Sequence, residues 1–253
     1  MSKIDHCVIL AAGNGSRLIP HSGGIPKPLV EVHGRPLLEH VILTAQGAGI
    51  RRFTIVVGYR SDAIRQWVAE RAFAGISTSL VENADYHKHN GVSLLKARAK
   101  VHDPFLLLMS DHIFEAATAE ALLQQPLGKG EVILAVDCNL DRVFDLDDVT
   151  KVRRKGDRIV EIGKQIRRYD AYDTGMFLCD TELFAVLEYA MKDGNCSLSD
   201  GMQILGKAGK LRAFDIGDAT WQDVDTPEAL AYTEMVFDQF FCQIPVAEGV
   251  LSV

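Results

Sequence analysis

The chain has 253 residues, 47% hydrophobic and 24% charged, with a net charge of −7. That length suits one α/β domain able to bury roughly 70–75% of its unfolded surface without staples. The acidic balance lacks the basic face that nucleic-acid binding requires, near-average composition argues against long disordered stretches, and no apolar run approaches the ~18 residues of a membrane span.

In chain order, short apolar runs alternate with longer segments of helical period. Strands are expected at Cys7–Ala11, Phe53–Val57, Ser79–Val81, Phe105–Met109 and Val132–Val136. The first, second and fourth are nearly continuous in Val, Ile, Leu and Phe, as strands covered on both faces are. Helices are expected at Pro36–Gln46, Asp62–Phe73, Val92–Ala99 and Ala116–Gln125. This rhythm predicts an α/β fold: a Rossmann-like mixed, mainly parallel sheet with helices on both faces. After about residue 137 the rhythm changes. Thr150–Arg154 and Arg158–Ile162 form a hairpin around Lys155-Gly156-Asp157. A strand at Gly175–Cys179, helices at Leu183–Met191 and Asp200–Gly206, a strand at Arg212–Ile216 and a last amphipathic helix at Pro227–Phe240 follow. The tail Gln243–Val253 carries no period. We expect one domain over 1–253, with a first half at 1–136, a second half at 137–242 and a tail at 243–253. The cysteines Cys7, Cys138, Cys179, Cys196 and Cys242 form no C-x-x-C pair, a pattern of free thiols in a reducing compartment. The first residues show no positive start plus apolar core of a signal peptide, so the expected location is cytoplasmic.

The most informative stretch directly follows the first strand: Leu10-Ala11-Ala12-Gly13-Asn14-Gly15-Ser16-Arg17-Leu18, then Pro26-Lys27-Pro28-Leu29. Small residues and two glycines let backbone N–H groups approach phosphate oxygens, and Arg17 and Lys27 add positive charge. A dinucleotide fingerprint needs glycine where Leu18 stands, and no Gly-Lys-Ser/Thr of a Walker loop is present. Two glycines alone would describe an ordinary strand-to-helix turn; the Arg and the P-K-P segment set this one apart.

Two acidic segments complete the pattern. Asp111 follows the Phe105–Met109 strand, where open α/β sheets place ligands, although a lone Asp there is as often a cap. Asp223 and Asp225 precede Thr226-Pro227-Glu228, a good helix start that explains Thr226 and Pro227 but not the two carboxylates. Magnesium takes one or two carboxylates plus phosphate oxygens, so Asp111, Asp223 and Asp225 are the expected Mg²⁺ ligands. Other signals are weaker. Asp137-Cys138-Asn139-Leu140-Asp141 mimics the opening of a calcium loop, but Arg142 stands where Gly is required and Asp148 where Glu is. His87-Lys88-His89 lacks partners at zinc spacing.

The strand, the A-A-G-x-G-x-R-L loop and the P-K-P segment resemble the sugar-phosphate nucleotidyltransferases, a resemblance that extends through most of the chain. It implies that the loop wraps a triphosphate, that Arg17 and Lys27 contact its β- and γ-phosphates, and that Asp111 and an Asp of the Trp221–Pro227 segment hold Mg²⁺. Asn90-Gly91-Val92-Ser93-Leu94-Leu95, Met109-Ser110-Asp111-His112-Ile113, Asp173-Thr174-Gly175-Met176-Phe177, Asp145–Val152 and Ile162-Gly163-Lys164 narrow the resemblance to inositol-1-phosphate cytidylyltransferases. The resemblance implies CTP and inositol 1-phosphate as partners and CDP-inositol as product. It assigns Leu10–Arg17, Lys27, Asn83, Asn90, Gly91, Ser93 and Asp111 to the nucleotide. It assigns Lys164, Asp173, Thr174 and Gly175 to the acceptor, and Arg17, Lys27, Asp111 and Lys164 to catalysis. Several members carry a downstream membrane phosphatidyltransferase, to which the product would pass. Phosphocholine, a phosphonate or a sugar 1-phosphate remain alternative acceptors, and a non-catalytic nucleotide sensor is the alternative of another class. The apolar last helix and tail offer a surface for a homodimer.

Overall fold

A computed structural model describes residues 4–18, 23–71, 73–141 and 149–241. The order of elements is β1 (His6–Ala11), β2 (Glu31–Val32), β3 (Arg35–Pro36), α1 (Leu37–Gly47), β4 (Arg52–Val57), α2 (Ser61–Glu70), β5 (Ser77–Glu82) and α3 (Asn90–Lys96). Then come β6 (Phe105–Met109), β7 (His112–Phe114), α4 (Ala116–Leu123), β8 (Val132–Asp137), β9 (Lys151–Lys155), β10 (Arg158–Gly163) and β11 (Ala171–Cys179). The last are α5 (Leu183–Ala190), α6 (Leu198–Lys207), β12 (Leu211–Asp215), β13 (Trp221–Asp223) and α7 (Pro227–Phe240). Nine strands form one sheet in the order β5-β4-β1-β6-β11-β8-β12-β10-β9. Its first four strands are parallel. β11 then runs antiparallel to both β6 and β8, while β12 is parallel to β8. The sheet is therefore mixed, with its parallel run in the N-terminal half and the antiparallel strands in the second.

β1 is buried throughout because its alternate side chains feed two cores. Val8 and Leu10 join Val92 and Leu94 of α3, Leu183 and Leu187 of α5 and Met202 of α6 on one face. Cys7, Ile9 and Ala11 join Leu38 and Ile42 of α1, Ile64 of α2 and Leu122 of α4 on the other. At roughly 1.5–3 kcal/mol for each large apolar side chain taken out of water, these two layers dominate the stability of the sheet.

A third, smaller core matters most for the site. Leu18, Val30, Val32, Leu37, Ile113, Val224 and Val236, Phe237 and Phe241 pack together. This cluster clamps α7 over three segments: the end of the glycine loop, the stretch after Lys27, and the paired strands that carry His112 and Asp223. α7 starts as its sequence demands, with Pro227 at the first position and the Thr226 hydroxyl accepting the Ala229 N–H at 3.1 Å.

Differences from the expected elements are local. β11 begins at Ala171, ahead of the expected Gly175, because an irregularity between Asp173 and Phe177 lets pairing with β8 resume beyond a bulge. The third helix breaks at Lys96 into a separate turn of 3₁₀ helix over Arg98–Lys100. β7 and β13, two three-residue strands paired to each other, are too short to leave a period in the sequence. The expected features at Arg142, Asp145–Asp148 and Gln243–Val253 lie outside the described residues.

Candidate active site

The loop after β1 borders a cleft of about 300 Å³ lined by Leu10, Ala12 and Gly13 through Arg17, with Lys27, Ser93 and Asp111. Ala11 is an exception: strand alternation turns its methyl into the opposite core. Gly15 adopts φ +57°, and a Cβ there would lie 2.6 Å from Cβ of Lys27. No other residue lets the loop pass the Lys27 side chain so closely. A Cβ at Gly13 would meet nothing within 4 Å, so this glycine leaves room in front of the loop.

Lys27 is the hub. It is only 5% exposed, and its Nζ donates to Asp111 Oδ2 at 2.6 Å and to Asp225 Oδ1, with Asp223 Oδ1 at 3.7 Å. Burial disfavours the ammonium, but the three carboxylates outweigh it and hold the pKa above the usual lysine range. Arg17 donates to the other oxygen of Asp225. The two aspartates of the Trp221–Asp225 segment thus have different partners. Asp225 faces the two cations, whereas Asp223 lies beside Asp111 and His112.

Their placement follows from β7 and β13. Asp223 pairs with His112 in register, and the Val224 N–H donates to the Asp111 carbonyl at 3.0 Å. His112 Nδ1 lies 2.8 Å from the Thr174 carbonyl. A carbonyl only accepts, so Nδ1 carries the proton. Nε2 then faces Asp223 Oδ2 at 3.4 Å and Asp111 Oδ1 at 3.8 Å. Burial works against the charged ring, yet Asp223 and Asp111 hold it charged up to about 10. In return, against the same burial, His112, Lys27 and Arg17 keep Asp223 below the carboxylate range. Sequence reasoning gave His112 no role. Its only signal was its position directly after the strand-end aspartate.

A larger cavity of about 660 Å³ opens on the other side of Asp111 and Asp225, which line both spaces, as do Asn90 and Met109. Lys164, Asp173 and Gly175 line it, with Asp137 and Trp221. The Trp221 indole donates to Asp137 Oδ2 at 3.0 Å. Burial pushes the Asp173 carboxyl up to about 6, although it accepts the Gly175 N–H.

Three expected contacts take other forms. Asn83 is fully buried and lines neither space; its amide donates to the Ser93 hydroxyl at 2.9 Å and its oxygen accepts the Asp85 N–H. It supports Ser93, which does line the smaller cleft. Gly91 is buried against the Cys196–Ser197 backbone, where a Cβ would come within 2.7 Å of the Cys196 carbonyl oxygen; its requirement is packing. The Thr174 hydroxyl is spent on the Ala135 carbonyl at 2.9 Å, and only its own carbonyl reaches the site, through His112. Asn90 lines both spaces while its oxygen accepts the first N–H of α6.

Residues 7–194 match the model of the MobA-like NTP transferase domain. The chain belongs to that family. It is 35% identical to the bifunctional IPC transferase and DIPP synthase of Aquifex aeolicus over 226 residues, covering 89% of this chain and 50% of that protein. Identity to the protein of the same name from Rubrobacter xylanophilus is 36% over 228 residues, covering 89% and 50%. The chain therefore spans about half the length of these relatives. The fold is that of the inositol-1-phosphate CTP transferase from T. maritima, with a TM-score of 0.82 at 24% identity over 95% of this chain and 99% of that one. MobA-like NTP transferases generally use a divalent metal, and Asp111 and Asp223 fit one. They are adjacent at the seam of the two spaces, and Asp223 Oδ1 is buried without a hydrogen-bond partner.

Proposed function

We propose that this chain transfers the cytidylyl group of CTP to inositol 1-phosphate, giving CDP-inositol and pyrophosphate, with Mg²⁺ as the metal. The observation that carries this reading is the convergence of Lys27 with Asp111, Asp223 and Asp225 at the boundary between a glycine-lined cleft and a larger cavity. A triphosphate in the first and a phosphorylated acceptor in the second would bring the α-phosphorus and the attacking oxygen together at that boundary. The names of the relatives and the CTP transferase fold support the choice of base and acceptor. The halves 1–136 and 137–242 would then serve nucleotide and acceptor respectively.

An acceptor phosphate is already anionic near neutral pH and needs no general base. Positioning and charge relief carry such chemistry. Backbone N–H groups of the loop and Arg17 would hold the β- and γ-phosphates, and Lys27 would shift from its carboxylates toward the developing pyrophosphate charge. Lys164 would aim the acceptor phosphate from the cavity wall. Asp111 and Asp223 would hold the metal, which when bound would supply neutralisation of the charge between the two phosphates. Among the described residues no helix is long and apolar enough to cross a membrane. We place the reaction in the cytoplasm, with a membrane phosphatidyltransferase as consumer of the product.

Pyrophosphate release across four NTPs and a panel of inositol 1-phosphate, phosphocholine, 2-aminoethylphosphonate and glucose 1-phosphate tests this. CTP with inositol 1-phosphate should exceed every other pair by at least about tenfold, the discrimination expected when a polar pocket matches its ligand. A higher rate with another acceptor replaces inositol 1-phosphate. CTP binding without pyrophosphate release from any acceptor would leave a nucleotide sensor.

A further inference from the structure

We infer that His112 is a direct ligand of the metal, so that the centre is an Asp–His–Asp site with one nitrogen donor and favours Mn²⁺ over Mg²⁺ in affinity. The inference rests on the proposed metal-assisted reading of this site and names one more of its ligands.

Three observations carry it. First, ligand-capable atoms of Asp111, His112 and Asp223 all lie within 4.8 Å of one another. Nε2 stands 3.4 Å from Asp223 Oδ2 and 3.8 Å from Asp111 Oδ1. Around one ion with bonds of about 2.1 Å, neighbouring ligand atoms are about 3 Å apart and opposite ones about 4.2 Å. The two distances from Nε2 fall inside that span. Second, the ring is oriented as metal-bound imidazoles are. Its Nδ1–H donates to the Thr174 carbonyl at 2.8 Å, which fixes the ring's orientation and turns Nε2 toward the carboxylates, where a bound cation would take the place of the Nε2 proton. Third, the backbone is shaped around the ring. Gly175 has φ +77°, and a Cβ there would lie 2.1 Å from Nδ1 and 2.5 Å from Cε1 of His112. The bulge in β11 between Asp173 and Phe177 supplies this hollow, and Trp221 closes the other side at 5.7 Å between ring centroids.

The chemical consequence concerns which ion the centre prefers. Magnesium is a hard ion that takes oxygen ligands and keeps its waters. Imidazole nitrogen suits manganese, cobalt and other transition ions far better. A carboxylate-only site would separate Mn²⁺ from Mg²⁺ less than a site with one nitrogen.

Mn²⁺ bound to the full chain, with and without CTP, provides the test by pulsed electron paramagnetic resonance. Protein grown with ¹⁵N-labelled histidine separates an imidazole coupling from one due to cytosine. The expected result is one directly bound histidine nitrogen in the wild type. His112→Asn retains an amide able to reach the Thr174 carbonyl but lacks Nε2. It should lose the coupling and bind Mn²⁺ at least about tenfold more weakly, with a smaller change for Mg²⁺. Should that variant fail to fold, the wild-type spectrum alone decides. Bound Mn²⁺ without a histidine coupling, or an unchanged Mn²⁺ affinity in folded His112→Asn, overturns the assignment and leaves the functional reading standing. Wild-type protein that takes up no Mn²⁺ even with CTP overturns both.

Discussion

The two spaces that meet at Asp111 are built in opposite ways. The smaller one is more local: a single loop after β1 supplies the longest continuous part of its wall, with Gly15 folded against Lys27 and open room at Gly13. The larger one is assembled from ends of distant elements, among them Asp137, Lys164, Asp173 and Trp221. Its walls are set by side-chain ties such as Trp221 to Asp137. The difference predicts different failure modes. Changes in the first should act on nucleotide binding and pyrophosphate release, and changes in the second on the acceptor alone.

Lys27 lines the smaller space beside the seam and should show the largest effect. Lys27→Met removes the cation that binds three carboxylates together, and turnover measured as pyrophosphate release should fall about 10²-fold or more, the usual loss for one preorganised charge-stabilising group. Near-normal turnover in a folded variant would end the proposed role. The pair Asp223 and Asp225 sharpens the comparison further. Asp223→Asn should lower turnover by roughly 10²-fold and weaken metal binding. Asp225→Asn instead removes the carboxylate charge that Arg17 and Lys27 share, while Lys27 keeps Asp111. It should alter the KM for CTP severalfold while calorimetric metal affinity stays within about twofold. Equal effects of both on metal binding would return the two carboxylates to a single role.

How much of this was legible in the sequence follows the same division. The loop could be read because its chemistry is contiguous: glycines, Arg17 and Lys27 sit within 18 residues of Leu10 in a row that one strand delivers. Asp111 could be read from the strand before it. The mixed sheet was visible as a change of rhythm near residue 137. The division of labour between Asp223 and Asp225 was not, because it depends on the β7–β13 register, and three-residue strands have no period. Asn83, Gly91 and Thr174 were assigned to ligands, whereas their buried polar or packing partners lie 10, 105 and 39 residues away along the chain. A polar side chain in a turn looks the same in sequence whether it meets a substrate or a neighbouring hydroxyl. His112 was missed for the converse reason: the carbonyl and the bulge that orient it come from β11.

Glycine substitutions separate shape from chemistry, at a smaller scale. Gly175→Ala combines a positive φ with a Cβ driven into the His112 ring, and should cost about 2–4 kcal/mol in chemical denaturation. Gly13→Ala meets nothing and should leave stability within about 0.5 kcal/mol, while raising the KM for CTP through lost room in front of the loop. A large stability loss at Gly13 would mean that the loop is held by packing.

The mildest change tests the larger space. Trp221→Phe keeps an aromatic ring beside His112 but removes the indole N–H that Asp137 Oδ2 accepts. Asp137 retains the Asn139 N–H on its other oxygen, so the loss in stability should be about 1 kcal/mol. With that tie gone, the carboxylate is free to turn within a wall of the cavity, and the acceptor should feel it before the nucleotide does. We expect the KM for inositol 1-phosphate to rise about threefold to tenfold, with the KM for CTP unchanged. An effect on CTP instead would show that the cavity on the far side of Asp111 does not serve the acceptor, and that the two phosphates meet somewhere other than the seam at Lys27.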